Sequence, residues 1–148
     1  MKLFYYCYGR AHSSVIAGWI HLRRLPIDRV PDIKEIIEAR GFDQSDSDDF
    51  GTPYYLGKDE FDNDVFIIGF GGKPTLGLQT ICFLLEQIGN PLDWKFYNSL
   101  ASIDWLTKTG GFISKKLKWS YLGRYIAALG IQKSYSNLVK LVKTVKGD

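Results

Sequence analysis

The chain has 148 residues, 45% of them hydrophobic and 24% charged, which are the proportions of one folded domain and exclude a disordered chain. Its two cysteines are too few for a disulfide framework, and no apolar stretch approaches the roughly 20 residues of a membrane span, so we expect a cytoplasmic protein with no membrane partner. The net charge of +3 is spread unevenly, because residues 1–100 carry 10 Lys and Arg against 14 Asp and Glu, whereas residues 101–148 carry 9 against 2.

The first part of the chain alternates between strand and helix patterns. Residues 2–8 form an aromatic run without clean alternation, which is typical of a strand covered on both faces. From Ser13 the apolar residues follow a helical spacing, and Pro26 stops the run. A second helix is predicted over residues 32–40, with Asp32 as its N-cap.

The alternation continues to the end of the chain. Residues 52–57 and 65–71 are predicted to pair as a hairpin, and residues 76–89 are predicted to form a buried helix. The remaining predicted elements are a strand at 94–100, a helix at 103–118, a strand at 124–130 and an amphipathic helix at 134–146.

This order of elements predicts a single α/β domain over residues 1–148 with three layers. We expect a mostly parallel sheet of about five strands, one hairpin included, with helices on both faces. If the first strand and the second strand of the hairpin are parallel, the loops that follow them open at the same edge of the sheet. Ligands of open α/β sheets bind at that edge.

The first of these loops, GRAHSS at residues 9–14, has the residue types of an anion site. Gly9 lets the backbone turn sharply, and serines at a helix start present hydroxyls beside unpaired amides. Arg10 adds a charged donor, and His12 is a candidate general acid or base near neutral pH. The alternative is a simple connection in which a serine caps the helix. The predicted ligand-binding residues of this loop are Gly9, Arg10, Ser13 and Ser14.

The second loop, GFGGKPT at residues 69–75, has a composition that suits phosphate. It is not a Walker A motif, because Pro74 occupies the position where that motif needs a hydroxyl. The alternative is that Pro74 begins a helix and that the glycines serve turn geometry. The predicted ligand-binding residues of this loop are Gly71, Gly72, Lys73 and Thr75.

Cys7 is a second catalytic candidate, because it stands at the end of a predicted strand. In cysteine phosphatases a thiolate in that position is followed, after five residues, by an arginine. Here Ser13 occupies the arginine position. The alternative is a buried strand cysteine that acts as a small hydrophobic residue.

The other polar clusters predict no metal site. Asp43, Asp46, Asp48 and Asp49 do not have the spacing of a calcium loop and are expected in a solvated loop. His21 has no Cys or His partner at metal spacing, so we assign it to a helix surface.

The basic C-terminal third raises the question of nucleic acid. Lys140, Lys143 and Lys146 alternate with apolar residues, which is typical of the solvent-exposed face of a packed helix. The pattern therefore disfavours nucleic acid as a partner. A protein partner or a second copy of the chain stays open.

Four stretches of the chain together carry a family resemblance: CYGRAHSS, IHLRRLP, GFGGKPTLG and TKTGGFISKKL. Over nearly its full length the chain resembles an uncharacterised family of small proteins from spore-forming Gram-positive bacteria (Firmicutes), the domain of unknown function 3189. In that family the opening looks like YYCYGG, one residue and HSS, and Arg10 stands where the second glycine is expected. The resemblance implies a bacterial, cytoplasmic protein and implies no activity.

Taken together, the two loops predict a protein that binds a phosphate-bearing small molecule or a nucleotide. If it is an enzyme, it transfers or hydrolyses a phosphoryl or acyl group, with His12 moving a proton and Lys73 stabilising negative charge. The sequence identifies no cofactor. The alternative is a non-enzymatic regulatory or protein-interaction domain.

Overall fold

The computed structural model describes residues 1–103 and 120–147. Within them lie four strands, four α-helices and three short 3-10 helices. The strands are β1 (Lys2–Cys7), β2 (Tyr54–Lys58), β3 (Asp64–Gly69) and β4 (Trp94–Asn98), and the helices are α1 (Ser13–His21), α2 (Ile33–Glu38), α3 (Pro74–Ile88) and α4 (Ser120–Lys146).

The four strands form one mixed sheet in the order β2-β3-β1-β4. Strand β1 is parallel to both β3 and β4, and its Tyr5 pairs with Ile67 on one side and Tyr97 on the other. Strand β2 is antiparallel to β3, so the predicted hairpin is confirmed. The expected mostly parallel sheet of five strands is wrong, because the sheet is mixed and the described residues supply four strands.

The predicted strand at 124–130 lies inside helix α4. Its apolar residues continue a helical spacing through the rest of the helix, and the side chains of Ala127, Ala128, Ile131 and Leu138 are all fully buried. A short apolar run fits a strand and a buried helix equally well, and only the longer spacing separates the two. The predicted amphipathic helix at 134–146 is confirmed as the second half of α4.

Most of the other predicted elements are confirmed within a few residues of their bounds. These are the strands at 2–8 and 94–100 and the helices beginning at Ser13 and over 32–40. The predicted helix at 103–118 lies, apart from Ile103, outside the described residues. Among the described residues, no helix is both long and apolar enough to cross a membrane.

The main hydrophobic core lies against one face of the sheet. Alternate residues of the strands, such as Tyr5 and Ile67, point to this face and pack with helices α1, α2 and α4. The largest fully buried apolar side chains contributed by these helices are Ile16, Ile20, Ile36, Ile131, Tyr135 and Leu138.

The opposite face of the sheet is aromatic and is contacted by α3. Phe4 stacks on Phe66 and Phe96, with ring centroids 4.8 and 4.7 Å apart. Leu78 and Ile81 of α3 pack against this cluster. No residue of α3 is buried, so the prediction of a buried helix at 76–89 is right about the helix and wrong about its burial.

Candidate functional site

Two glycine loops meet at one edge of the sheet. The first glycine loop (residues 8–12) follows β1, and the second glycine loop (residues 70–73) follows the parallel strand β3. The Phe70 N–H donates to the Cys7 carbonyl at 3.2 Å, and the Gly71 N–H donates to the Tyr8 carbonyl at 2.8 Å. The predicted meeting of the two loops at one edge of the sheet is confirmed.

The close approach of the loops depends on glycine. A Cβ atom at Gly69 would lie 2.8 Å from the backbone nitrogen of Arg10 and 2.9 Å from the carbonyl carbon of Gly9. Gly71 has a φ of +61°, in the left-handed region that favours glycine. Gly72 differs from both, because a Cβ atom there would meet nothing within 4 Å. The space above Gly72 is open.

Arg10 adopts the backbone conformation of a glycine. Its φ of 56° lies in the left-handed region that favours glycine, and Arg10 stands where the resemblance predicts Gly. The guanidinium lies 3.0 Å from a carboxylate oxygen of Asp49 and 5.3 Å from the centre of the Tyr54 ring. Only 11% of the Arg10 side chain is exposed.

His12 is also paired with a carboxylate. Its Nε2 lies 3.1 Å from Oδ1 of Asp43, and its ring meets the edge of Phe42. Both side chains of this pair are partly buried. An imidazole held by a carboxylate is the arrangement that orients a general base in many enzymes.

Both carboxylates come from one segment, the acidic loop (residues 43–49). The Asp43 N–H donates to the Ala11 carbonyl at 2.8 Å, and the Ser45 hydroxyl donates to the Gly9 carbonyl. Asp46 and Asp48 are exposed, as expected of a solvated loop. Asp43 and Asp49 are only partly exposed, and their carboxylates contact His12 and Arg10 of the first glycine loop.

A small cavity of about 70 Å³ lies between the acidic loop and the sheet. It has room for a few water molecules or one small anion, and it is smaller than the roughly 300–1,000 Å³ of pockets that enclose larger ligands. Its lining residues are Arg10, Gly41, Gln44, Ser45, Tyr54 and Ile67.

The serines at the start of α1 face the protein interior. Ser14 Oγ lies 3.0 Å from the Cys7 Sγ, and both side chains are buried. Ser13 Oγ lies 3.2 Å from Oγ of Ser99, whose hydroxyl donates to the Tyr6 carbonyl. These contacts leave the hydroxyls engaged within the protein.

Ser99 is a residue of this edge that the sequence analysis missed. It directly follows β4, which is parallel to β1, so it reaches the same edge as the glycine loops. The parallel-strand rule that places those loops would also have found Ser99.

The remaining predicted site residues lie at the start of α3. Lys73 is the N-cap of this helix and Pro74 its first residue, as the alternative interpretation of the loop predicts. Lys73 and Thr75 are both exposed, and Lys73 makes no side-chain cap hydrogen bond. The exposed part of the candidate site is therefore on the second glycine loop.

A second polar cluster lies inside the protein, near the turn between β2 and β3. The Tyr5 hydroxyl lies 2.8 Å from Nδ1 of His21, whose Nε2 lies 2.9 Å from Oδ2 of Asp59. Only 1% of the His21 and Asp59 side chains is exposed, so the assignment of His21 to a helix surface is wrong. No sequence pattern signals this contact, because the two residues are 38 positions apart.

Burial and hydrogen bonding set the charges in this cluster. Burial lowers the pKa of His21, and its hydrogen bond with Asp59 acts in the opposite direction. Burial also opposes ionisation of Asp59, but hydrogen bonds from His21 and Asn63 outweigh it and lower the pKa of Asp59 to about 2. A neutral imidazole fits the contacts, because Nε2–H donates to the Asp59 carboxylate and Nδ1 accepts from the Tyr5 hydroxyl.

These features define a mixed α/β protein in which two strand-to-helix loops meet at the carboxyl ends of parallel strands. The chain belongs to the DUF3189 family, whose model, described as a protein of unknown function, matches residues 2–147. The resemblance drawn from the sequence is thus confirmed, whereas the bacterial origin and cytoplasmic location that it implies stay predictions. No curated protein and no solved structure matches the chain.

Proposed function

We propose that the two glycine loops form one binding site for a phosphate-bearing small molecule. The observation that carries the proposal is their junction, in which loops from neighbouring parallel strands share main-chain hydrogen bonds and each leads into the start of a helix. The first N–H groups of a helix lack partners within the helix and favour an anion. Two such starts at one edge of the sheet support a single anion site.

The contacts of two partly buried side chains, Arg10 and His12, support an anionic ligand. Arg10 and His12 already hold carboxylate oxygens, those of Asp49 and Asp43. A phosphoryl oxygen accepts the same charge-assisted hydrogen bonds as a carboxylate oxygen. Lys73 adds an exposed ammonium group on the second glycine loop.

The size of the cavity favours a phosphoryl group over a whole nucleotide as the enclosed part of the ligand. A volume of about 70 Å³ beside Arg10 holds one tetrahedral anion. In the proposed site, Lys73 and the amides of the second glycine loop, where the space at Gly72 is open, bind the same phosphoryl group.

The His12–Asp43 pair gives the proposed site a means of moving a proton. In phosphoryl or acyl transfer or hydrolysis, His12 is the general acid or base, and backbone amides with Lys73 stabilise developing negative charge. Cys7 is a weaker candidate, because it is 4% exposed and contacts Ser14, which favours the alternative of a small buried residue.

Ligand-dependent stabilisation tests the proposal. Inorganic phosphate and pyrophosphate are expected to raise the melting temperature progressively, because a ligand at 100 times its Kd adds about 2.7 kcal/mol to the free energy of unfolding. Lys73→Ala and His12→Ala are expected to lose most of this stabilisation, whereas Lys95→Ala, which removes an exposed charge from β4, keeps it. A melting temperature that stays constant up to tens of millimolar of both anions contradicts the proposal.

One observation favours a second candidate function, that of an interaction protein that pairs with its own copy. Five large apolar side chains on and just after α3 are 54% to 78% exposed: Leu76, Phe83, Leu84, Ile88 and Leu92. Together they form an apolar patch on the order of 500 Å², the size of the largest patches on soluble monomers. Two copies then bury roughly 1,000 Å², the lower limit of a specific interface. Helix α3 carries only one charged residue, Glu86, and such apolar surfaces are typical of homodimers.

A further inference from the structure

We propose that the acidic loop is a built-in competitor of the anionic ligand, an inference that rests on the proposed function. Asp49 and Asp43 occupy the hydrogen-bonding atoms Nη2 of Arg10 and Nε2 of His12. A phosphoryl oxygen needs the same atoms. The ligand therefore binds by displacing carboxylates that belong to the protein.

The exposure of the Arg10–Asp49 pair fits a displaceable carboxylate. The Arg10 side chain is 11% exposed and the Asp49 side chain 36%. The cation is thus fixed in the site, while the carboxylate lies on the solvent side. An ion pair of this kind stabilises little when its acidic partner is solvated, so an incoming dianion exchanges with it at low cost.

The acidic loop and the residues just after it are also held to the site by hydrogen bonds that need neither carboxylate. The Asp43 N–H donates to Ala11, and the Gly51 N–H donates to the carbonyl of Gly69, each at 2.8 Å. The Ser45 hydroxyl donates to Gly9. Oδ2 of Asp49 also accepts the Asp46 N–H at 2.9 Å, and the amide oxygen of an asparagine accepts the same bond. An Asn substitution is therefore expected to free a donor of Arg10 or His12 without releasing the loop.

Because the ligand competes with carboxylates, its charge determines whether it binds. A ligand must bring at least the negative charge that it displaces, since otherwise Arg10 and His12 are left with fewer favourable contacts than before. We expect the phosphate dianion and the more highly charged pyrophosphate to bind and acetate, a single carboxylate, to bind poorly. The acidic loop thereby selects for phosphoryl groups over carboxylates.

Titration calorimetry with inorganic phosphate and pyrophosphate tests this inference. Asp49→Asn and Asp43→Asn are expected to bind both anions about fivefold or more tighter than the unmodified chain, in the range of ordinary coupling between two ligands. The matched control is Asp48→Asn, which removes the same charge from an exposed position of the same loop. Its affinity is expected to stay within about twofold of the unmodified chain, because exposed charges are screened by salt.

The outcomes separate the inference from the proposed function. In one outcome, the unmodified chain binds phosphate in a manner that depends on Lys73, but Asp43→Asn and Asp49→Asn bind it no tighter than Asp48→Asn does. The acidic loop is then not a competitor, and the proposed anion site is still supported. If neither the unmodified chain nor any Asn variant binds at millimolar concentrations, both proposals are overturned. Thermal unfolding of each variant checks that it is folded, and Asp49→Glu, which keeps the charge, is expected to restore the lower affinity.

Discussion

At the scale of single residues, Gly69 determines whether the two glycine loops can touch. A side chain there meets backbone atoms of Gly9 and Arg10, which cannot rotate away. We predict that Gly69→Ala lowers the free energy of unfolding by about 1–3 kcal/mol, the usual effect of overpacking. Urea denaturation measures the change.

The matched control for this substitution is Gly72→Ala, in the neighbouring loop. A Cβ atom at Gly72 meets nothing within 4 Å, so the free energy of unfolding is expected to change by less than about 0.5 kcal/mol. Equal effects of the two substitutions would mean that the close approach of Gly69 to the first glycine loop does not require the absence of a side chain.

The buried pair His21 and Asp59 predicts how stability depends on pH. The pKa of His21 is lowered on folding, so near and below its ordinary value of about 6.5 the unfolded chain binds more protons and stability falls as the pH decreases. Asp59 has a pKa of about 2 against an ordinary value of 3.8, so its contribution is present above about pH 4 and is lost between pH 4 and 2.

Urea denaturation between pH 8 and pH 5 measures the contribution of His21. The chain has two histidines, so His12→Gln leaves His21 as the only one that titrates. This variant is expected to lose stability steadily from pH 7 to pH 5. A free energy of unfolding that is constant over this interval in His12→Gln would show that protonation of His21 does not oppose folding.

At the same scale, pairs that are distant in the sequence limit what can be predicted. The Gly9 turn and the serines at a helix start carry local signals, and they were placed correctly at the edge of the sheet. The contacts of His21 with Asp59 and of His12 with Asp43 join residues 38 and 31 positions apart. Such pairs follow from packing and leave no periodic pattern in the sequence.

At the scale of elements, α3 and α4 show why an apolar run alone predicts neither the type of element nor its burial. The run at 124–130 has the length and composition of a strand, but it belongs to a 27-residue helix whose buried positions recur every three or four residues. The run at 76–89 is apolar enough for a buried helix, yet all of α3 remains at least partly exposed. An apolar composition predicts a need for burial and does not identify the surface that provides it.

The exposed side of α3 leads to a prediction about self-association. If a second copy covers it, sedimentation over a concentration series is expected to show a dimer that Phe83→Glu converts to a monomer, because a buried carboxylate lacks a partner in the interface. The control is Ser136→Glu, which adds the same charge to an exposed position of α4. A chain that is monomeric throughout, or a dimer that survives Phe83→Glu, would rule out this interface.

At the scale of the whole molecule, the position of the candidate site can be predicted from the topology. The packing of the acidic loop against that site cannot. Parallel strands bring their carboxyl ends to one edge, so the meeting of the two glycine loops followed from the order of elements alone. The acidic loop has a composition typical of solvated turns, and nothing in its spacing indicates that two of its carboxylates face Arg10 and His12. The small cavity beside Arg10 is a consequence of that packing.

The most direct test of a shared anion site is an NMR titration of the ¹⁵N-labelled chain with inorganic phosphate. We predict that the amide signals of residues 9–14 and of residues 71–75 shift together and saturate with one common Kd, because one anion contacts both helix starts. Signals that shift only around Lys73, or two groups that saturate with different Kd values, would contradict a single site built from both loops.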